Sequence, residues 1–341
     1  MIHTRTVGVI IPYYQRQRGI LLRAVESVRA QALDTDTAVK IIIVDDSSPV
    51  SAEADLATLV LPAFATLRIL HQDNAGPGAA RNRGLEHAAA LGCDFVSFLD
   101  SDDRWAPCHL ARALEALSDD GDFFFDDHIR TQYGAASYME HDRRLARWIE
   151  RGVISLDSLD RLTVRPADVL QPFLRDCLAQ TSTIVLRSET MGTLRFDTDL
   201  RSLGEDLLFM LQAATRARSV RLSDEVGTDC GEGVNIYHSA LSWNHPDAPM
   251  RFAMSLLLWT RVEQSVALNA RDREFVRSQI SGFRRGFAYI LARNWLKTRR
   301  VHRRSIELLR AKLGWRPASL ITGLAGVVVR RLAGRQAFPE H

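Results

Sequence analysis

Phe95-Val-Ser-Phe-Leu-Asp-Ser-Asp-Asp-Arg-Trp105 takes a short apolar run straight into three acids, Asp100, Asp102 and Asp103. Phe95, Val96, Phe98 and Leu99 have the density of a buried strand. Carboxylates crowded at a strand end repel one another. A hard divalent cation with oxygen ligands removes that cost, so the stretch reads as a Mg²⁺ or Mn²⁺ site facing phosphates. A solvated acidic turn is the alternative, and the neighbouring stretches bear on the choice.

Working backward, Val7–Ile11 is a buried strand stopped by Pro12, and Ile20, Leu21, Ala24, Val25 and Val28 follow at helical spacing. A second strand, Val39–Val44, ends in Asp45-Asp-Ser-Ser-Pro49, a turn and helix-start signal. A helix through Ala52–Leu61 leads to a third strand, Leu67–His71. Asn74-Ala-Gly-Pro-Gly-Ala-Ala-Arg-Asn-Arg-Gly84 then opens a helix running to about Leu91, with backbone N–H groups turned toward an anion. Beyond the acids come a helix near Pro107–Leu117 and an apolar run, Phe123–Phe125.

Strands alternating with helices predict an α/β fold built on a parallel sheet. Such sheets bind ligands outside the carboxyl ends of their strands. Pro12-Tyr13, Asp45-Asp46, Asn74–Arg83 and Asp100–Asp103 all fall there, which favours a nucleotide and metal site over an isolated acidic turn. Asp45 suits an N–H on a base edge, with Pro12 and Tyr13 as an apolar wall, although Asp45 and Asp46 also suit helix capping. Arg81, about one turn into its helix, has the reach to meet the nucleotide.

Gln180–Arg187 reads as a further strand and Val220–Val226 as another. Between them Leu207, Leu208, Leu211 and Ala214 form one face of a helix that opens with Glu205 and Asp206. Acids in a first turn are stabilised by the helix dipole; the chemical alternative is that Asp206 takes a proton from an acceptor hydroxyl. His238, in a polar and aromatic stretch, is either structural or a metal or phosphate ligand.

Composition is that of a soluble globular protein, and 341 residues allow a sizeable core. Four scattered cysteines without a C-x-x-C pair argue against a zinc site or a disulfide framework and suit a reducing cytoplasm. The first residues run directly into a strand pattern, leaving no room for a signal peptide, and no uncharged apolar run is long enough to span a bilayer. The net charge of +3 hides an asymmetry: Ser281–His341 holds 14 Lys and Arg against 2 acids, whereas the first 280 residues carry a net −9. From Pro249 the pattern is helical with a basic face, and Ala318–Val329 is apolar before Arg330-Arg331. These features predict a tail that lies on an anionic membrane surface, a solvated face and an oligomer contact being the alternatives. No nucleic-acid motif accompanies the charge.

The ordered set Val9-Ile-Ile-Pro-Tyr-Tyr14, Ile43-Val-Asp-Asp-Ser-Ser48, Asn74–Gly84, Phe98–Trp105 and Gly204-Glu-Asp206 resembles the family 2 glycosyltransferases, over about residues 5–245. The resemblance implies the GT-A fold: a Rossmann-like, mainly parallel sheet flanked by helices. Here it would span residues 1–248, with a nucleotide-binding half (1–130), an acceptor-binding half (131–248) and a basic helical extension (249–341). Pro12, Tyr13 and Asp45 would hold the nucleoside, most often uridine, and Arg81 would assist at the base or diphosphate. Asp100 and Asp102 match the D-x-D element, with Ser101 between them at the donor. Asp102 would ligate Mg²⁺ or Mn²⁺ and Asp100 would sit nearer the ribose. Asp206 matches the catalytic base, with Glu205 beside it, and His238 falls where some members add a metal ligand. The implied reaction is a single inverting displacement from a nucleotide-sugar onto a glycan or lipid-linked oligosaccharide, on the inner face of the cytoplasmic membrane. The likeness is greatest to bacterial enzymes that build exopolysaccharide and other surface glycans. A phosphatase would not explain the other strand ends. A sugar nucleotidyltransferase would usually carry a Gly-rich basic N-terminal loop, which Tyr13–Arg18 lacks. A non-catalytic nucleotide-binding module would not need so many converging polar groups.

Overall fold

Every side chain from Val7 to Tyr13 is buried, so this strand is covered on both faces, as the centre of an α/β sheet must be. The computed structural model describes residues 4–130, 137–201, 203–231 and 245–316. The chain begins β1 (Arg5–Tyr13), α1 (Ile20–Arg29), β2 (Thr37–Asp45), α2 (Ala52–Asp55), β3 (Ala65–His71), α3 (Pro77–Ala90) and β4 (Phe95–Phe98). There follow β5 (Arg104–Trp105), α4 (His109–Ala116), β6 (Phe123–Ile129), α5 (Arg144–Glu150), β7 (Ile154–Leu156), β8 (Leu162–Val164) and α6 (Gln171–Asp176). Last come β9 (Ile184–Arg187), α7 (Ser188–Met191), α8 (Glu205–Arg216), β10 (Val220–Asp229), α9 (Ala248–Ser265), α10 (Ala270–Thr298) and α11 (Arg303–Leu313).

Among the described residues ten strands form one sheet in the order β3-β2-β1-β4-β9-β6-β10-β8-β7, with β5 pairing β10 to the side. The first four are parallel. From β4 outward the sheet is mixed: β9 runs antiparallel to both β4 and β6, and only β6 and β10 are parallel again. The parallel expectation therefore holds for the half that alternates regularly with helices. The second half departs from it because β9 inserts between two earlier strands. The chain moves outward from β1 through β2 to β3, then returns to place β4 on β1's other side. That reversal puts a crevice at the carboxyl ends of β1, β2 and β4.

By compactness the chain divides into Met1–Arg201 with Phe209–Val234, and Ser202–Leu208 with Asn235–His341. The sheet lies wholly in the first unit. In the second, α9 is buried over most of its circumference. Phe252 meets Phe283 and Trp259 meets Phe275, an order that makes α9 and α10 antiparallel. Trp315, after α11, packs edge-on to Phe287. No helix among the described residues is long and apolar enough to cross a membrane.

Gly84 fixes how closely α3 lies on β1, because a Cβ there would overlap Ile10 Cγ2. Alanine at position 84 gains about 1 kcal/mol of helix propensity, but overpacking a rigid, buried, branched side chain costs about 1–3 kcal/mol. Gly84→Ala should therefore lower stability in urea unfolding, and a variant as stable as the parent would show that the helix can lift off β1 freely.

Candidate functional site

Pro12 and Tyr13 lie opposite Val44 and Asp45 in the parallel β1–β2 register, and Asp45 lies opposite His71 on β3. Tyr13 does not form the expected wall. Strand side chains alternate between faces, so Tyr13 shares a face with Val7, Val9 and Ile11 and joins their core cluster. Burial, then Asp55, pushes its phenol up to about 12. The aromatic ring left open here is Tyr14, 36 % exposed; the period of two in β1 was the available signal.

Asp45 and Asp46 are both buried. Asp45 Oδ1 accepts the N–H of Ser48 at 2.7 Å, and Oδ2 that of Ala52 at 3.0 Å. The capping alternative is thus realised, but two of the roughly four acceptor positions of a carboxylate remain for a ligand. Asp46 accepts the backbone N–H groups of Ala75 and Gly76, each at 2.8 Å, and Gln72 Nε2 at 2.7 Å. The N–H groups just ahead of α3 that were expected to face an anion are therefore taken by an internal carboxylate. Beside them His71 Nε2 meets Glu53 Oε1 at 2.7 Å. These two and Asp45 bring ligand-type atoms within 4.8 Å of one another. With His71 and Glu53 paired, and Asp45 already accepting two N–H groups, this cluster is satisfied without an ion.

The acids after β4 are held individually. Asp100 Oδ1 pairs with Arg81 Nη2 at 2.6 Å, and its backbone N–H donates to Ser182 Oγ at 3.0 Å. Arg81 is buried, and its guanidinium lies 5.3 Å over the Phe196 ring. Asn82 fixes that ring through Phe196's backbone, donating from Nδ2 to the carbonyl at 2.9 Å and accepting the N–H at 2.7 Å. Ser101 Oγ accepts from Gln15 Nε2 at 3.1 Å, which ties the acid loop to the end of β1. Asp103 is buried; it accepts the Ser182 hydroxyl at 2.6 Å and the Gly231 N–H at 2.8 Å. Position 231 tolerates no side chain, since a Cβ would overlap the Asp102 carbonyl.

Burial first, and then the charges of Asp100 and Asp102, push Asp103 up to about 8. Asp103 is thus held as the neutral acid near pH 7, while Asp102 is half-buried. All the donor atoms are hard oxygens, which suit Mg²⁺ or Mn²⁺ better than a thiophilic metal. This donor set fits such an ion. Ser182, Gln15 and Asn82 escaped sequence reasoning as site residues. The polar run Thr181–Thr183 at the start of an otherwise apolar strand was the one visible hint; it forms a 3-10 turn that β9 delivers beneath the acids.

Glu205 and Asp206 occupy the first turn of α8, where the dipole favours them. Glu205 is buried; Asp206 is half-buried, and its Oδ1 accepts the N–H of Leu207 at 2.7 Å. Further along the same helix Phe209 stacks on Phe196 at 3.9 Å and meets Phe98 edge-on. His238 lies outside the described residues. At the end of β6, Asp127 Oδ1 accepts the N–H groups of His128 and Met139. His128 stacks on Tyr138 at 4.6 Å, and Arg144 lies 4.1 Å over the Tyr138 ring.

Residues 8–178 match the family model described as glycosyl transferase family 2. The chain is 31% identical over 338 residues to the succinoglycan biosynthesis protein ExoW of Rhizobium meliloti, covering 95% of this chain and 98% of that one. It is 28% identical over 201 residues to the amylovoran biosynthesis glycosyltransferase AmsB of Erwinia amylovora, 56% of this chain and 58% of that one. Among solved structures, S. aureus TarS 1-349 in complex with UDP-GlcNAc aligns with a TM-score of 0.58 at 16% identity, over 97% of this chain and 92% of that one. At that identity the likeness concerns the fold.

His128 gives the fold a pH dependence that stability measurements read directly. Burial, then Arg130 and Arg144, lower its pKa from 6.5 to about 4. It stays neutral in the folded chain while the unfolded chain takes up a proton below 6.5. Stability is therefore full above pH 6.5 and falls as the pH drops toward 4, by up to about 3 kcal/mol. His128→Phe keeps a ring against Tyr138 and should flatten that acid loss in urea titrations at pH 7 and pH 4.5; an equal loss in both proteins would remove His128 as its source.

Proposed function

This chain belongs to glycosyltransferase family 2, and we propose that it transfers a sugar from a UDP-sugar to a hydroxyl of a glycan or lipid-linked oligosaccharide, with inversion, in bacterial exopolysaccharide synthesis. The observation that carries the reading is the row of acids after β4, with Asp100 paired to Arg81 and Asp103 buried and tied to Ser182 and Gly231. The near full-length likeness to a succinoglycan biosynthesis protein supports the pathway class, and the UDP-GlcNAc complex of TarS supports UDP as the nucleotide. Neither a sugar nucleotidyltransferase nor a non-catalytic nucleotide-binding module gains an observation in its favour.

In this reading residues 1–130 bind the donor, 131–248 the acceptor, and 249–341 the cytoplasmic face of the membrane. Asp45 accepts a hydrogen bond from the base through its remaining lone pairs. Pro12 flanks the nucleoside, and Tyr14 offers the open ring beside it in place of the buried Tyr13. Ser101 keeps the acid loop against Gln15, and Asp100 stands at the ribose. Asp102 is the principal ligand of Mg²⁺ or Mn²⁺, with His238 as a further ligand. When bound, the ion supplies charge stabilisation to the leaving diphosphate. Arg81 adds a positive charge on the same side. Asp206 accepts the proton of the attacking hydroxyl, with Glu205 beside it.

Two substitutions separate these roles. Asp206→Asn should lower transfer by about a thousandfold while calorimetry still detects UDP binding; undiminished transfer would end the assignment of the base. Asp102→Ala should lose the part of UDP affinity that depends on Mn²⁺, and an unchanged metal-dependent affinity would count against Asp102 as ligand.

A further inference from the structure

The last turn of α10 has no packing reason to be apolar, yet it is. Trp295 is 47% exposed and Leu296 64%, and Val301 in the connection to α11 is 47% exposed. Every residue from Trp295 to Val301 is exposed. The helix ends there because Arg299 adopts a left-handed conformation, its N–H donating to the Trp295 carbonyl at 2.8 Å. That turn also lays the Arg299 guanidinium 4.8 Å over the Trp295 ring.

The charge around this tip is of one sign. Arg293, Lys297, Arg299, Arg300, Arg303 and Arg304 fall within twelve residues, and no acid occurs between Glu274 and Glu307. A cationic collar around an exposed Trp and Leu is poorly matched to a protein core and well matched to the boundary between lipid headgroups and acyl chains. There an indole ring sits at headgroup depth and arginines meet phosphates. Each basic residue near an anionic leaflet adds about 1 kcal/mol, and the apolar side chains add their burial.

We infer that the α10–α11 turn is the element by which this chain inserts into an anionic lipid surface, with Trp295, Leu296 and Val301 entering the headgroup region and the surrounding Arg and Lys contacting lipid phosphates. The inference rests on the reading that residues 249–341 meet the membrane, and it narrows that contact to one exposed tip. It differs from the sequence expectation, which placed an amphipathic contact at Ala318–Val329, outside the described residues.

The full chain is tested by co-sedimentation with vesicles of phosphatidylcholine alone or mixed with phosphatidylglycerol. The expected result is binding to the anionic vesicles that weakens with salt, and a loss of roughly tenfold or more in Trp295→Ser/Leu296→Ser/Val301→Ser and in Arg299→Gln/Arg300→Gln. Because these side chains are exposed, both variants should keep the parent's melting temperature and UDP affinity. Quenching by brominated lipid should fall in Trp295→Phe relative to the parent. If the parent binds no vesicles, the membrane reading itself fails. If the parent binds and both variants bind equally well, the tip assignment alone fails. A tip variant that dissociates an oligomer while leaving vesicle binding intact would assign the surface to a second copy and overturn the inference.

Discussion

Asp103 is the constraint on which the arrangement at the strand ends depends. A carboxylate buried beside two others is unfavourable, and its two short hydrogen bonds to Ser182 and Gly231 offset part of that cost. The same bonds stop the acid loop from relaxing away from the sheet. Ser182 also receives the N–H of Asp100, so one hydroxyl steadies two of the three acids. Asp102, between them in sequence, is half-buried. A loop without these ties could spread its charges; this one cannot.

The first half of the fold was legible because its physics is local. β1, β2, β3 and β4 are short apolar runs with helices between them, and each ends in residues that reappear together at the crevice. Asp45 and Asp100 stand at such endings, and Arg81 one turn into α3 pairs with Asp100. Tyr13 could not be placed from the motif that contains it, because motif and pleat make different demands: the motif puts an aromatic at the strand end, and alternation turns that ring into the core. Ser182, Gln15 and Asn82 were illegible for another reason. Each acts through a partner distant in sequence, and nothing local in a polar residue says which carbonyl or carboxylate it will meet. The mixed half of the sheet was hidden likewise, since β9 chooses its neighbours by tertiary fit.

The two ends of the chain have opposite charge for reasons that do not compete. Acids are concentrated where the sheet needs caps and loop ties. Basic residues are concentrated on helices whose cores are supplied by Phe252, Trp259, Phe283 and Phe287, so that charge on the outer faces costs the packing little. Trp295 and Leu296 break this division, being apolar yet exposed.

The ties at Asp103 also order events in time. Ser182 is 79 residues and Gly231 128 residues further along the chain than Asp103. During synthesis the parallel strands and α3 emerge early and can pair by contacts of modest sequence separation. The acid loop cannot take its final shape until β9 has inserted and the end of β10 has arrived. Contacts of such long separation form late because loop closure must precede them. The chain therefore completes its sheet before it completes its charge cluster, and a nascent chain carries the residues of a donor site long before it can hold a donor.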